Sequence, residues 1–215
     1  MSEITSDLVK KLRDATNAGM MDCKKALVET KGDLAAAETW LRKKGISSAS
    51  KKASRDANEG VIASYIHAGD KVGVLIELNC ETDFVARTDS FKGLVKDISL
   101  QIAAASPRFV RREEVPAAEV EKEKEIVTAQ IKNKPPQVVE KIVTGRLDKF
   151  FGTVCLLEQA FIKDDKMTIK DLIASKIAEL GENIVLRRFV RFQLGESLTP
   201  LASEPEAPAA EEVAA

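Results

Sequence analysis

The chain has 215 residues, of which 44% are hydrophobic, 31% are charged and only 5% are aromatic. This length accommodates one large or two small domains, and the scarcity of aromatic side chains argues against a stacking surface for single-stranded nucleic acid. Residues 1–195 carry 33 basic and 29 acidic side chains, a surplus too small to indicate a nucleic-acid-binding protein from charge alone.

The three cysteines, Cys23, Cys80 and Cys155, are odd in number, far apart and without a CxxC pair. Together with the lack of a secretory signal pattern, they predict a reduced, cytosolic compartment. Each cysteine is interpreted as a small buried hydrophobic residue. No apolar run approaches the ~18 residues that a membrane-spanning helix needs, so no membrane contact is expected.

The N-terminal part of the chain predicts three short helices. Thr5 or Ser6 is expected to cap the first helix, Asp22 the second and Asp33 the third, which should end at Gly45. About 40 residues in three helices bury only a marginal core. The unit is therefore interpreted as a small docking module.

Residues 46–58 hold serines among lysines and arginines and almost no large apolar side chain. They are interpreted as a linker or as a solvated basic helix. The basic run from Arg42 to Arg55 is also suited to contacting phosphate groups, but a solvated face fits a nearly neutral chain better.

β-branched residues alternate from Gly60 onward and predict two strands joined by a turn at Gly69 and Asp70, a β-hairpin. A strongly amphipathic helix then begins at Thr88 or Asp89. This helix is expected to cover the hairpin.

Two further helical segments, residues 117–134 and the stretch from Val138 to Phe151, are separated by a double proline and predict a helical hairpin. Another helix is expected near residues 168–180. The apolar and arginine alternation of residues 184–194 predicts a strand that completes a small antiparallel sheet with the β-hairpin.

The predicted fold class is α+β, with an N-terminal three-helix module, a small antiparallel sheet and packed helices that include the helical hairpin. The last residues are rich in Pro, Ala and Glu, cannot bury a core and are expected to be disordered. The predicted units are a docking module (1–45), a basic linker (46–58), an α+β core (59–195) and an acidic tail (196–215).

Few residues are suited to catalysis. The sequence contains neither GxxxxGK[ST] nor GxGxxG, so no nucleotide-binding loop is predicted. His67, the one histidine, is interpreted as a surface turn residue, and the adjacent Asp164 and Asp165 as a solvated pair in a turn. We therefore expect no catalytic residue, no metal site, no cofactor and no enzymatic activity.

The segment from Glu81 to Arg87 joins the predicted second strand to the amphipathic helix and places Phe84 and Val85 in a connecting turn. Two interpretations are open. Either these apolar side chains pack under the core, or an exposed Phe84 anchors a partner.

Three stretches carry a resemblance to a known family. Residues 12–27 (LRDATNAGMMDCKKAL), 81–87 (ETDFVAR) and 145–150 (GRLDKF) resemble, in that order and spacing, the signatures of the translation elongation factor Ts family. The resemblance extends from Ile4 to about Leu194, and its first two motifs are long and specific.

The resemblance implies a guanine nucleotide exchange factor for elongation factor Tu, the GTPase that delivers aminoacyl-tRNA to the ribosome. The three-helix module, which is similar to ubiquitin-associated domains, would dock on the nucleotide-binding domain of that GTPase. Arg13, Met20 and Met21 match the positions by which the module contacts its partner.

The second motif matches the family's segment that disturbs the site of the magnesium ion bound to the GTPase. The intruding side chain would be the phenylalanine. The matching residues are Thr82, Asp83, Phe84 and Val85.

Longer members of the family carry two related half-domains in the core, whereas this chain has room for one. The resemblance therefore implies a symmetric homodimer that binds two GTPase molecules, with residues 59–195 also serving as the dimerisation domain. The expected location is cytoplasmic, without direct contact to nucleic acid. Two alternatives stay open, a docking module without exchange activity and an RNA-binding protein that uses residues 42–55.

Overall fold

The computed structural model describes residues 4–16, 18–131 and 135–196, so the predicted break at Lys134 and the predicted tail from residue 197 onward lie outside the described residues. The predicted α+β class is confirmed. The helices are α1 (Ser6–Thr16), α2 (Met20–Glu29), α3 (Leu34–Lys52), α4 (Asp83–Ala86), α5 (Asp89–Ala105), α6 (Ala117–Gln130), α7 (Pro136–Val154) and α8 (Ile169–Leu180), and the strands are β1 (Glu59–Ile66), β2 (Val72–Cys80), β3 (Ala160–Phe161), β4 (Asp164–Thr168) and β5 (Ile184–Gln193).

Helices α1 to α3 pack around a small hydrophobic core of their own, as the sequence predicts. The similarity of this unit to ubiquitin-associated domains stays a prediction. Its buried side chains are Val9, Leu12, Cys23, Ala26, Leu27, Ala37 and Leu41.

Two of the three predicted caps of these helices are confirmed. Thr5 and Asp33 accept hydrogen bonds from backbone amides three residues further on, at 3.3 and 3.0 Å. The cap predicted at Asp22 is wrong. Helix α2 begins two residues earlier, at Met20, with Gly19 in the N-cap position, so the Asp22 carboxylate lies in the first turn, where it is still favoured by the helix dipole.

The prediction that the third helix ends at Gly45 is wrong, because α3 continues to Lys52. Gly45 is buried against α8, where an added Cβ would lie 3.7 Å from the carbonyl oxygen of Ala174. This close packing outweighs the low helix propensity of glycine. The Lys52 ammonium then donates to the carbonyl oxygen of Ile177 at 3.2 Å, so the first half of the predicted linker 46–58 is a helix packed on the core.

The ion pair between Arg42 on α3 and Asp171 on α8 joins the three-helix unit to the core, with 2.6 Å between the charged atoms. Asp171 also forms a capping box with Thr168 at the start of α8. Burial alone would raise the pKa of Asp171. The hydrogen bonds from Arg42 and Thr168 together lower it by more than burial raises it, so the pKa lies below its ordinary value.

Replacing this carboxyl group, Asp171→Asn, should weaken the acid sensitivity of folding. Because the folded-state pKa is lowered, the ionised carboxylate stabilises the fold above the unfolded pKa of about 3.9, and this contribution is lost as the pH falls through the folded pKa. Between about pH 5 and about pH 3, urea unfolding midpoints should fall less in the variant than in the wild type. If the unfolding midpoint fell by the same amount in the variant and in the wild type, the prediction would be contradicted.

The predicted β-hairpin and third strand are confirmed. β1, β2 and β5 form an antiparallel sheet with β2 in the centre. At one end of the sheet, Cys80 is opposite Glu59 on β1 and opposite Ile184 on β5. The last residue of β2 is therefore held from both sides, and it is the point from which the chain enters α4.

Helix α5 covers one face of this sheet, as predicted. Thr88 caps it by accepting a hydrogen bond from the Phe91 amide at 3.2 Å, and Ser106 closes it in a left-handed conformation. Helix α8 packs beside α5 over the same core. The core includes Val74, Ile76, Leu78, Phe91, Leu94, Ile98, Ile102, Ile169, Ile173, Ile177, Ile184 and Leu186.

The predicted helical hairpin is formed by α6 and α7, which pack against each other. Near its base, Arg112 pairs with Asp148 of α7 at 2.9 Å and with Glu158. The Arg112 guanidinium also lies over the Phe151 ring, 4.6 Å from its centroid. Asp148 belongs to the 145–150 motif, so this part of the motif fastens the hairpin to the rest of the chain.

Strands β3 and β4 form a second, two-stranded sheet. Asp164 and Asp165, predicted to lie in a turn, begin β4 instead, and this prediction is wrong. Phe161 pairs directly with Asp164 and buries its ring in the core. The turn is therefore confined to the two residues between them.

All three cysteines are buried and free, as predicted. Burial raises the pKa of Cys23 and Cys80, and it raises the pKa of Cys155 to about 11. Such thiols stay protonated near neutral pH and react slowly. His67 is exposed at the β1–β2 turn, as predicted, with its Nδ1 3.0 Å from the Tyr65 hydroxyl.

Candidate protein-docking site

Phe84 projects into solvent from α4, a single helical turn between β2 and α5. Its side chain is 78% exposed, whereas Val85 packs against the core and Ala86 is buried. Successive helical residues point about 100° apart, so one turn holds itself to the core through two side chains and presents the third. Of the two open interpretations, packing under the core applies to Val85 and exposure applies to Phe84.

The start of α4 is fixed by a carboxylate from a distant part of the chain. The backbone amide of Thr82 donates to Glu182 Oε2 at 3.0 Å, and the Thr82 hydroxyl donates to Glu182 Oε1 at 2.7 Å. The same hydroxyl oxygen accepts from the Val85 amide at 3.4 Å and so caps the helix. Cys80 adds a thiol hydrogen bond to the Thr82 carbonyl oxygen at 3.1 Å.

A pair of opposite charges flanks Phe84. Asp83 at the start of α4 pairs with Arg87, the residue that follows the helix, with 2.8 Å between their charged atoms. Both side chains are largely exposed, so the pair contributes little to stability. It does present one acid and one base on either side of the exposed ring, which suits a polar rim around an apolar anchor.

A second exposed group lies on the three-helix unit. Met20 and Met21 at the start of α2 are 46% and 74% exposed, and Arg13 is exposed on the neighbouring helix α1. Val28 was missed by the sequence reasoning. It is exposed on α2 two turns after Met21, and that seven-residue spacing, which places both side chains on one helix face, was the available signal.

A third exposed apolar surface is the face of the three-stranded sheet opposite α5, here called the outer sheet face. Leu75 pairs with Val190, and the next pair on the same face of the sheet is Gly73 with Phe192. The sequence alternation predicted the strands but did not indicate that both of their faces carry apolar side chains. The exposed members are Ile62, Ile66, Leu75, Val190 and Phe192.

The structure places all seven residues singled out from the sequence at or near the surface. It brings Thr82 to Val85 together in one capped turn, and it places Met20 and Met21 together at the start of α2. An α+β chain that presents exposed apolar anchors on firmly held helical turns has the features of a protein that acts by contact with another protein.

Comparison with known proteins identifies the family. A sequence model of the family described as Elongation factor TS matches residues 44–196. The protein named Elongation factor Ts from Anaeromyxobacter sp. is 60% identical over 200 residues, which cover 92% of this chain and 91% of that protein. The one from Thermodesulfovibrio yellowstonii is 59% identical over 195 residues, 90% of this chain and 98% of that protein.

The chain therefore belongs to the elongation factor Ts family and has a role in translation elongation. The resemblance read from the three motifs is confirmed. The match covers nearly the whole length of these relatives.

Proposed function

We propose that the chain is a guanine nucleotide exchange factor for elongation factor Tu. It binds the GTPase that carries GDP and promotes GDP release by disturbing the site of the bound magnesium ion, without a catalytic group or cofactor of its own. The observation that carries this proposal is the exposed Phe84 ring on a capped, clamped turn, within a chain of the elongation factor Ts family.

Disturbing a magnesium site is an efficient way to release a nucleoside diphosphate. The ion bridges the phosphates and the GTPase and is the largest positive charge in the pocket. A factor that binds the strained or nucleotide-free GTPase more tightly than the GDP-bound form lowers GDP affinity, and bound GDP lowers the affinity of the factor by the same ratio. Differential binding is all that this mechanism requires.

Phe84 is proposed as the wedge, but it is not sufficient for the whole effect. A shift of about 10⁴-fold in GDP affinity requires about 5.5 kcal/mol, whereas full burial of one phenylalanine contributes roughly 1.5–3 kcal/mol. The remaining differential binding is assigned to further contacts of the core domain with the strained GTPase, while the second exposed group, Arg13, Met20 and Met21, supplies docking affinity. In the Phe84 segment, Thr82 caps the turn, Val85 anchors it to the core and Asp83 lies at its polar rim.

The test is the release of fluorescently labelled GDP from purified elongation factor Tu, followed by stopped flow with increasing amounts of the chain. Acceleration that saturates with the concentration of the chain is the expected result. No acceleration at micromolar concentrations would overturn the proposal. Binding without acceleration would support the alternative of a docking module that lacks exchange activity.

We also propose that the chain acts as a homodimer. The outer sheet face supports this, because two copies related by a twofold axis bring identical apolar surfaces together and remove them from water. Such a dimer would present two copies of the Phe84 segment and bind two GTPase molecules. Sedimentation of the purified protein tests the proposal, and a monomer at micromolar concentration would contradict it.

Direct nucleic-acid binding is not part of the proposed function. Basic residues of the 42–55 segment are engaged within the chain: Arg42 with Asp171, Lys44 with Asp22, Lys52 with a carbonyl oxygen of α8, and Arg55 with Glu81. These contacts favour a structural role for the segment. A steep loss of RNA affinity with added salt would support the alternative.

The proposed location is the cytoplasm, where elongation factor Tu would be encountered, and no membrane contact is proposed. None of the described helices combines the length and the apolar character needed to cross a bilayer.

A further inference from the structure

We propose that Glu182 is a positioning residue for nucleotide exchange: its carboxylate fixes the start of α4 and thereby sets the direction in which Phe84 projects. The inference rests on the proposed exchange function. Glu182 lies in the turn between α8 and β5, 100 residues from Thr82 in the sequence, and it belongs to none of the three motifs that resemble the family.

One carboxylate makes two hydrogen bonds to the same residue. Glu182 accepts from the hydroxyl of Thr82 at 2.7 Å and from its backbone amide at 3.0 Å. An ionised carboxylate only accepts hydrogen bonds, so the Thr82 hydroxyl has to donate to it, and the lone pairs of the hydroxyl oxygen then face the Val85 amide. Glu182 thus fixes the side-chain rotamer that caps α4.

The contact extends the sheet beyond its last backbone pair. Cys80 and Ile184 are the final partners of β2 and β5. One residue further, Glu81 accepts a hydrogen bond from the Asn183 amide at 2.6 Å, and the Thr82–Glu182 contact follows. Carboxylates from both chain segments therefore continue the cross-strand bonding and hold the start of α4 to the start of β5.

Helix α4 is well suited to control by such a contact. A four-residue helix is too short to be stable by itself, because nucleation fixes several dihedral angles for one hydrogen bond. The Phe84 ring has little contact with the rest of the chain to fix its direction, being 78% exposed. The cap, with the buried side chain of Ala86 and the packed Val85, determines where the ring points.

The sheet and the hydrophobic core do not depend on the Glu182 side chain. Helix α8 ends at Gly181, which adopts a left-handed conformation with φ of 81°, and β5 enters the core through Asn183 and Ile184, both buried. Asn183 is held independently, since its side-chain amide donates to the Arg55 carbonyl oxygen at 2.8 Å. Loss of the carboxylate should release α4 without unfolding the protein.

The experiment compares Glu182→Ala, Glu182→Asp and Glu182→Gln in stopped-flow release of labelled GDP from elongation factor Tu. The Ala variant loses both hydrogen bonds, and the Asp variant keeps the charge but is too short to reach both partners. Each should lower the maximal release rate by about tenfold or more, because each loses at least one hydrogen bond to a charged group, with little change in the half-saturating concentration. The Gln variant retains an oxygen acceptor for the Thr82 amide and should restore the rate to within about threefold of the wild type.

A double-mutant cycle distinguishes positioning from a general structural effect. In a Phe84→Ala background there is no ring left to direct, so adding Glu182→Ala should cause no further loss of maximal rate. Asp97→Ala is the matched control. It removes a carboxylate that also pairs across elements, with Lys163 at 2.6 Å on the β3–β4 turn, and should leave the maximal rate unchanged.

The outcomes separate the two proposals. If the wild-type chain does not accelerate GDP release, the exchange function fails. If it does, but the Ala and Asp variants both reach the wild-type maximum, Glu182 has no positioning role and the exchange function stands. The inference is also overturned if Glu182→Ala lowers the rate as strongly in the Phe84→Ala background as it does alone.

Discussion

Phe84→Ala should lower the maximal rate of GDP release from elongation factor Tu by about 10- to 100-fold, the range that corresponds to removing one phenylalanine ring from an apolar contact. The loss should lie mainly in the maximal rate rather than in the half-saturating concentration, because a wedge contributes to the strained state more than to initial docking. Thermal unfolding should be unchanged, since the side chain is 78% exposed in the free chain.

Two comparison variants make this result specific. Met21→Ala removes an exposed apolar side chain of the second group and should raise the half-saturating concentration while leaving the maximal rate nearly intact. Ile162→Ala removes an exposed side chain at the β3–β4 turn and should change neither quantity. The wedge is contradicted if the Phe84→Ala protein reaches the wild-type maximal rate of GDP release, or if only its half-saturating concentration changes.

The opposite responses expected for Phe84 and Met21 follow from where the two side chains are fixed. Met21 lies on a ten-residue helix that packs within the three-helix unit, so it can bind a surface that is already present on the GTPase. Phe84 extends from one short turn that is anchored through a cap and a carboxylate. We infer that the Met21 contact supplies binding affinity and that the Phe84 contact deforms the partner.

Local sequence signals were sufficient for much of the fold. The β-hairpin, helix α5 with its Thr88 cap, and the Asp33 cap are all determined by neighbouring residues. In each case the periodicity and the capping side chain lie within one element, and short-range hydrogen bonds satisfy the backbone groups. Such elements can be read from the sequence without knowledge of the tertiary structure.

The largest error arises where a distant element overrides a local signal. Gly45 is an ordinary stop signal, yet α8, more than 120 residues away, packs against it and keeps α3 helical. The direction of Phe84 likewise depends on Glu182, 100 residues from the Thr82 cap. The motif and its apolar residues were evident from the sequence, but which of them faces solvent is decided by long-range contacts that no local pattern contains.

Gly60→Ala should be among the most destabilising single substitutions in the core sheet. Gly60, the second residue of β1, lies opposite Asn79 with φ of 139°, a conformation that residues with a side chain rarely adopt. An added Cβ would overlap the carbonyl oxygen of Leu78 and lie 2.6 Å from the Cα of Asn79. Backbone strain and overpacking together should lower the free energy of unfolding by about 2–5 kcal/mol, measured by urea denaturation.

Gly93→Ala provides the matched control, because the same methyl group is added where there is room for it. Gly93 lies within α5, and nothing comes within 4 Å of a Cβ built there. Alanine in a helix interior is favoured over glycine, so this variant should gain about 0.5–1 kcal/mol. A Gly60→Ala protein as stable as the wild type would mean that β1 can shift at its first residues. GDP release measured on such a protein would then show whether the β2 end, from which α4 projects, tolerates that shift.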